Sequence, residues 1–286
     1  MALNRGLGAL RSALVAGLTL SIQLQFLVAA EIVFLGGYLG QALTNRVDGP
    51  ALLALLLAGW AAYAFDRWVI HPEDQAAAGA DLRLLRYASR HRRLFAGMFA
   101  AAFLATAALL WNWPSLAAGF FFGGALTAAY VLDLPLLGRR MKSIPYLKSF
   151  YVPSVVVGTS LLLLGVLPRG AGQWRLAGGV WTLVALNTVL FDFKDRENDR
   201  RAGIVTLANR FSPARVAAAC QALSLLLGAW FWSLRAAPER ALALALLALG
   251  AAILRFYGRA RVPIWYYLLF VDGVVVLPWI FLELAR

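Results

Sequence analysis

The stretch Arg175-Leu-Ala-Gly-Gly-Val-Trp-Thr-Leu-Val-Ala-Leu-Asn-Thr-Val-Leu-Phe-Asp192-Phe-Lys-Asp195-Arg-Glu-Asn-Asp199-Arg-Arg201 decides how this chain is read. From Leu176 to Phe191 it carries no charged residue, and its apolar side chains point to every face of a helix. A helix on the surface of a soluble domain keeps one polar face. A segment that is apolar all round needs lipid or a very large core, and the bilayer is the solvent that permits it in series. The run then stops at a dense block of charge from Asp192 to Arg201. The pattern is a membrane span that opens onto a charged mouth.

Similar runs recur on both sides of it. Spans are expected at 13–40, 49–66, 94–111, 115–133, 149–167, 175–192, 213–234, 239–257 and 264–284. Each approaches the ~20 residues that cross a ~30 Å hydrocarbon layer, and a tight Pro-containing turn at Ala236–Glu239 joins the seventh to the eighth. The run after Arg11 carries no signal-peptide cleavage pattern and reads as the first span. The expected architecture is an all-α, polytopic membrane bundle of about nine transmembrane helices, forming one domain over 1–286. Composition agrees: 62% of the 286 residues are hydrophobic and 14% charged, against about 25% charged in soluble domains.

Charge sets the orientation. With the N-terminus in the cytoplasm, 21 of the 27 Lys and Arg fall on the cytoplasmic side and 6 on the other, as the positive-inside rule requires. The C-terminus then lies on the opposite side. Arg outnumbers Lys and Ala is abundant, which points to a GC-rich bacterium and its inner membrane. The net charge of +13 has no basic soluble domain to carry it, so nucleic acid is not an expected partner, whereas membrane lipids are. Cys220 is the one cysteine and reads as a packing residue; with His71 and His91 the only histidines, a His/Cys metal site is not expected.

The acidic residues are placed unevenly. Eight of the 14 fall in two cytoplasmic loops: Asp66, Glu73, Asp74 and Asp81 after the second span, and Asp192, Asp195, Glu197 and Asp199 after the sixth. Acid placement does little to set topology, so another cause is needed. On a helix Asp192, Asp195 and Asp199 project within an arc of about 60°. Three like charges at the rim of the hydrocarbon repel one another and resist desolvation. A divalent cation relieves both costs, and Mg2+ prefers carboxylate oxygens, water and phosphate. The alternative is a solvated loop whose acids pair with Arg196, Arg200 and Arg201.

The segment Asp192-Phe-Lys-Asp-Arg-Glu-Asn-Asp-Arg-Arg-Ala-Gly203-Ile-Val-Thr-Leu207 resembles the second aspartate-rich motif of the UbiA superfamily of intramembrane prenyltransferases. Asp192, Asp195, Asp199, Arg200, Gly203, Thr206 and Leu207 match its pattern. The stretch Tyr130 to Tyr151, with Arg139, Arg140, Lys142 and Lys148, is similar to that family's basic segment after the fourth span. The first motif of the family, N-D-x-x-D-x-x-x-D, is largely lost: its positions hold Ala62, Tyr63, Asp66 and Ile70. Glu73 and Asp74 are possible substitutes from beyond Pro72, which ends a helix before them. Downstream, Arg83, Arg86, Arg90 and Arg93 fall at helical spacing, suited to anchoring on anionic headgroups or to capturing a diphosphate.

The resemblance implies Mg2+-dependent transfer of a prenyl group from an allylic diphosphate to a hydrophobic acceptor, aromatic or lipid-like. It implies metal binding and catalysis by Asp66, Asp192, Asp195 and Asp199, with Glu73 and Asp74 as further candidates. Arg67, Arg139, Lys148 and Arg200 would bind the diphosphate, and Tyr63, Tyr130, Tyr146 and Tyr151 would wall the prenyl and acceptor pocket. The degenerate first motif motivates a second expectation, a non-catalytic isoprenoid-binding subunit with a partner in a membrane complex. A terpene cyclase on the same scaffold would share the first chemical step. Transport is a weaker expectation: Glu31 and Asp272 are the clear mid-span acids, and no inverted repeat is evident.

Overall fold

The structure, a computed structural model, describes residues 26–69, 89–136, 138–257, 262 and 266–286. Its helices are α1 (Phe26–Thr44), α2 (Gly49–Trp68), α3 (Arg92–Asn112), α4 (Ala117–Val131), α5 (Lys148–Leu163), α6 (Ala171–Arg201), the single turn α7 (Leu207–Arg210), α8 (Pro213–Ser233), α9 (Ala237–Ile253) and α10 (Gly273–Leu284). A π-helical turn, Tyr267–Val271, leads into α10. No β-strand occurs among the described residues; one isolated bridge pairs Leu134 with Arg139.

Among the described residues, seven helical segments are long and apolar enough to cross a membrane: Phe26–Thr44, Gly49–Trp68, Arg92–Asn112, Pro114–Val131, Ala171–Glu197, Pro213–Ser233 and Ala237–Phe256. Lys148–Leu163 and Gly273–Leu284 are apolar but shorter. The chain is an integral membrane protein by this composition. Helices stand at all nine expected places, but two fall below spanning length. Leu164–Gly165 ends α5 early, Gly165 taking φ +65°, and the π-turn interrupts the last segment. The expected start of the first span, 13–25, and Glu73, Asp74, Asp81, Arg83 and Arg86 lie outside the described residues.

Local chemistry fixes the helix starts. Asp48 caps α2 by accepting from the Ala51 N–H (3.3 Å), with Pro50 in the first turn. Ser212 and Pro213 do the same for α8. Between helices, close approach replaces the hydrophobic drive that lipid removes. A Cβ on Gly119 of α4 would meet the Leu163 backbone nitrogen at 2.7 Å, so these helices touch through glycine and would separate with alanine. The core runs along α6: Leu183 and Leu190 pack with Leu35 and Leu39 of α1 and Leu242 and Leu246 of α9, all fully buried. Cys220 belongs to that core. The Tyr38 hydroxyl crosses the bundle to donate to the Pro238 carbonyl at 2.7 Å.

Candidate functional site

The site is built on the end of α6. The helix continues without a break to Arg201, so Asp192, Asp195 and Asp199 keep the shared face their spacing predicts. Gly203 then takes φ +69°, a conformation that costs a side-chain-bearing residue about 1–2 kcal/mol. That turn lets the Ile204 N–H donate back to the Asp199 carbonyl at 2.8 Å. Thr206, fully buried, forms a capping box with Asn209 at the start of α7. The Tyr146 N–H donates to the Val205 carbonyl at 2.9 Å, which ties the segment before α5 to the loop after α6. Gly203 and Thr206, two matched positions of the motif, thus act by holding the two loops together.

That tie places Lys148, the first residue of α5, against the aspartates. Its Nζ lies 2.7 Å from Asp192 Oδ1 and 3.2 Å from Asp199 Oδ2. It donates a hydrogen bond to Asp199. Toward Asp192 the approach is ionic and not aligned, and Oδ1 has no hydrogen-bond partner. Ser149 donates a long bond, 3.5 Å, to Asp192 Oδ2. The Asp192 side chain is 0% exposed and that of Asp199 11%. Burial pushes the Asp199 carboxyl up to about 6, and the Lys148 ammonium opposes that rise. Asp195 is half-buried between them, and its charge reaches both Lys148 and the Tyr267 hydroxyl of the π-turn.

The bland expectation, acids paired with neighbouring arginines, holds for one residue. Glu197 pairs with Arg200 (2.7 Å) and Arg201 (3.1 Å) on the exposed side of α6. Arg200 is therefore turned away from Lys148 and engaged elsewhere. Arg139 is exposed on the turn that the Leu134 bridge closes, while its neighbour Arg140 is buried, 2% exposed. Burial singles out Arg140 as the inward arginine of this segment, a distinction that two adjacent arginines do not carry in sequence.

Asp66 lies at the end of α2, 3.8 Å from Arg67 of the same helix. Tyr130 connects the two sides: its hydroxyl lies in the field of Asp66 as well as those of Lys148, Asp192 and Asp199. Its ring stacks on Tyr151 (centroids 5.5 Å apart, 18° between planes), and the Tyr151 hydroxyl donates to the Leu126 carbonyl at 2.7 Å. Tyr63, one turn before Asp66, lies in the fields of Asp66 and Tyr130. Tyr146 is half-buried with φ +62° and serves the loop tie through its backbone. The fold thus brings together Asp66, Lys148, Asp192, Asp195, Asp199, Tyr63, Tyr130 and Tyr151, and leaves Arg139 and Arg200 outside. Ser149 and Tyr267 join them unforeseen, because a serine beside a lysine and a tyrosine in an apolar span carry no distinctive pattern.

Among the described residues no three His, Cys, Asp or Glu side chains stand close enough to hold a metal ion. Two carboxylates nevertheless converge on one point, and that point is occupied by an ammonium. Hard oxygen donors around a single cationic position, one of them without a hydrogen-bond partner, suit Mg2+ together with water and phosphate oxygens.

These features define a helical membrane bundle with the UbiA fold. It is similar to the structure of a UbiA homolog from Archaeoglobus fulgidus bound to DMAPP and Mg2+, with a TM-score of 0.59 and 16% identity, over 92% of this chain and 98% of that one. The same homolog bound to GPP and Mg2+ matches equally. No family model and no curated protein matches the sequence.

Proposed function

We propose that this chain is a divergent UbiA-type prenyltransferase, which moves a prenyl group from an allylic diphosphate to a hydrophobic acceptor within the membrane. The observation that carries the reading is the convergence of Asp192 and Asp199 on one partly buried cation position beside Asp195. The ligands bound by the similar archaeal protein agree with it. Under this reading 1–286 is one domain in a bacterial inner membrane, with the N-terminus and the aspartate mouth cytoplasmic.

Asp192, Asp195 and Asp199, with Asp66 opposite, would hold Mg2+, which supplies positive charge for the departing pyrophosphate when bound. The chain's own residues do the rest. Lys148 turns from the carboxylates to the diphosphate oxygens, since an ammonium on a flexible stem exchanges partners easily. Arg67 and Arg140 add fixed positive charge, and Arg139 and Arg200 guide the diphosphate to the mouth. Departure of the diphosphate leaves an allylic cation. Tyr63 and the Tyr130–Tyr151 stack face it with aromatic surfaces, while the apolar helices exclude water that would quench it.

The test is release of pyrophosphate from radiolabelled DMAPP, GPP or a longer allylic diphosphate, with candidate acceptors, with and without Mg2+. Mg2+-dependent release that is lost in Asp195→Asn and Asp199→Asn is expected. A second reading rests on the Lys148 bridge itself, which already neutralises the carboxylates without metal, and on Ala62, Tyr63 and Ile70 in the first motif: an isoprenoid-binding subunit. Binding of GPP with no release, together with stable copurification with a membrane partner, would establish that one instead.

A further inference from the structure

Away from the aspartate cluster, a groove of about 490 Å3 lies between α9 and the segment that ends in α10. Its α9 wall is made by Ala248, Ala251 and Ala252. These residues and Arg255 fall at i, i+3, i+4 and i+7, so the arginine tops the same helix face. The facing wall carries Tyr266, Phe270, Gly273 and Leu277. The groove exists because alanine and glycine side chains are too short to meet across it. A Cβ on Gly273 would meet nothing within 4 Å. From Tyr266 to Leu277 the wall is roughly 15 Å of helix, all of it apolar below the tyrosine.

The groove has one charged end. Arg255 stands on the tight turn Leu254–Phe256 that closes α9, with its guanidinium over the Tyr266 ring, 5.8 Å from the centroid. The side chain is half-buried, its Nε is buried without a hydrogen-bond partner, and no carboxylate among the described residues pairs with it. A cation fixed beside hydrocarbon without a counter-ion is costly, and a bound anion relieves that cost. The next residue, Phe256, packs on Phe193 of α6 with ring centroids 5.6 Å apart, so this end of α9 stands level with Asp192 and Asp195. Tyr257, 43% exposed, follows at the same level, as tyrosines do in the interfacial belt of a membrane protein. The groove therefore descends from the charged rim into the apolar depth.

We infer that this groove holds one acyl chain of an anionic phospholipid whose phosphate is bound by Arg255. A cation at the rim above an apolar trough matches an amphiphile with a negative head, and a guanidinium offers phosphate two parallel N–H donors. A zwitterionic head brings an ammonium for which no carboxylate stands beside Arg255. A prenyl diphosphate brings more charge than one arginine offsets, with no neighbouring acid to hold a metal that would share it. The occupant would touch Tyr266 and Phe270, which flank and belong to the π-turn. Tyr267 of that turn packs on Phe191 of α6, ring centroids 5.6 Å apart, one residue before Asp192. The lipid thus buttresses the segment that backs the aspartate cluster. The inference does not depend on prenyl transfer.

Native mass spectrometry of the full-length protein in detergent, with equal phosphatidylglycerol and phosphatidylcholine added, provides the test. One phosphatidylglycerol should be retained about tenfold over phosphatidylcholine. Arg255→Gln should erase that preference, whereas Arg215→Gln, at an exposed arginine in the first turn of α8, should keep it. Gly273→Leu fills the groove and should remove the retained lipid with Arg255 intact. Ala251→Leu, from the opposite and exposed wall, should do the same and keeps the test decisive if the first variant misfolds. Wild-type protein without the preference, or a preference that survives Arg255→Gln, overturns the inference. Equal loss in Arg215→Gln overturns it too, because diffuse charge at the rim would then be responsible. An adduct that persists in the folded filling variants removes the groove as its seat. GPP added in place of phosphatidylcholine decides the occupant: if it displaces the lipid and is itself lost in Arg255→Gln, the groove belongs to a prenyl diphosphate and the lipid assignment is wrong.

Discussion

The ends of α2 and α6 both place acids within the electrostatic reach of Tyr130, and they solve the placing of acids beside lipid in opposite ways. At α6 two buried carboxylates share one lysine from a different helix, and a glycine turn, a threonine cap and a backbone bond from Tyr146 hold that lysine in place. At α2 a single half-buried carboxylate lies 3.8 Å from the arginine next to it in sequence. The first arrangement is long-range and depends on the fold, whereas the second is local. A charge cluster that requires four chain segments to assemble persists only where the fold supports it, and it can be perturbed from any of them.

The sharpest way to break this contrast is to remove the cation at each end. Lys148→Met leaves Asp192 and Asp199 buried without compensation, which should cost about 3–5 kcal/mol, read as a lowered midpoint of thermal unfolding in detergent. Arg67→Met removes a loose pair at a half-buried position and should cost less than about 1 kcal/mol. Millimolar Mg2+ should restore much of the Lys148→Met loss by taking the vacated position, with no such effect on Arg67→Met. The pH dependence has a definite sign. Burial raises the Asp199 carboxyl to about 6, so its charge is fully present only well above that pH. The Lys148→Met defect should therefore be largest near pH 8 and shrink as pH falls through that range, where protonation removes the repulsion. A defect that is constant with pH would mean that lost packing, not charge, is responsible.

The same asymmetry should appear in turnover. Asp195→Asn removes a carboxylate from the cluster proposed to hold Mg2+ and should lower the rate at least 100-fold. Asp66→Asn removes one already offset by Arg67 and should lower it about tenfold. Equal losses in initial-rate assays would mean that the two ends share the work evenly, despite the decayed first motif.

How much of this the sequence discloses follows from the range of each interaction. The i, i+3, i+7 spacing of Asp192, Asp195 and Asp199 needs only helix geometry, so their common face is legible, and so are the apolar runs that place the helices. The partner of the aspartates is not, because Lys148 reaches them across 44 and 51 positions of chain. Four cations in the segment 139–148 look alike until a fold orients them, which is why Arg139 reads as well as Arg140 although only the second is buried. The short α5 and the π-turn before α10 are equally hidden: an apolar composition is satisfied by either backbone, and packing decides. Glu31 and Asp272 are each visible as odd acids in apolar runs, but that they stand on helices packed together, α1 and α10, is not.

The loop tie offers a smaller test of the comparison. Gly203→Ala places a Cβ on a residue at φ +69° and should cost about 1–2 kcal/mol. Open space surrounds that position, so the penalty is backbone strain and not a clash. Because the turn carries the Asp199 carbonyl contact and leads to Val205, the variant should also loosen Lys148. Its Mg2+ dependence of unfolding should then resemble a weaker form of Lys148→Met. Strain without any change in the Mg2+ response would separate helix termination from placement of the lysine.

The smallest effect is expected at Arg200, a matched position of the motif. In the structure it serves Glu197, both side chains being more than half exposed, and such a pair contributes about 0–1 kcal/mol. Arg200→Ala should therefore leave the unfolding midpoint nearly unchanged. Its proposed role in guiding the diphosphate is electrostatic and long-range, so the variant should slow GPP association at low salt and match wild type once salt screens the field. A loss of GPP affinity that persists at high salt would instead mean that Arg200 leaves Glu197 and contacts the bound diphosphate directly. The exposed rim of α6 would then belong to the site as fully as its buried face.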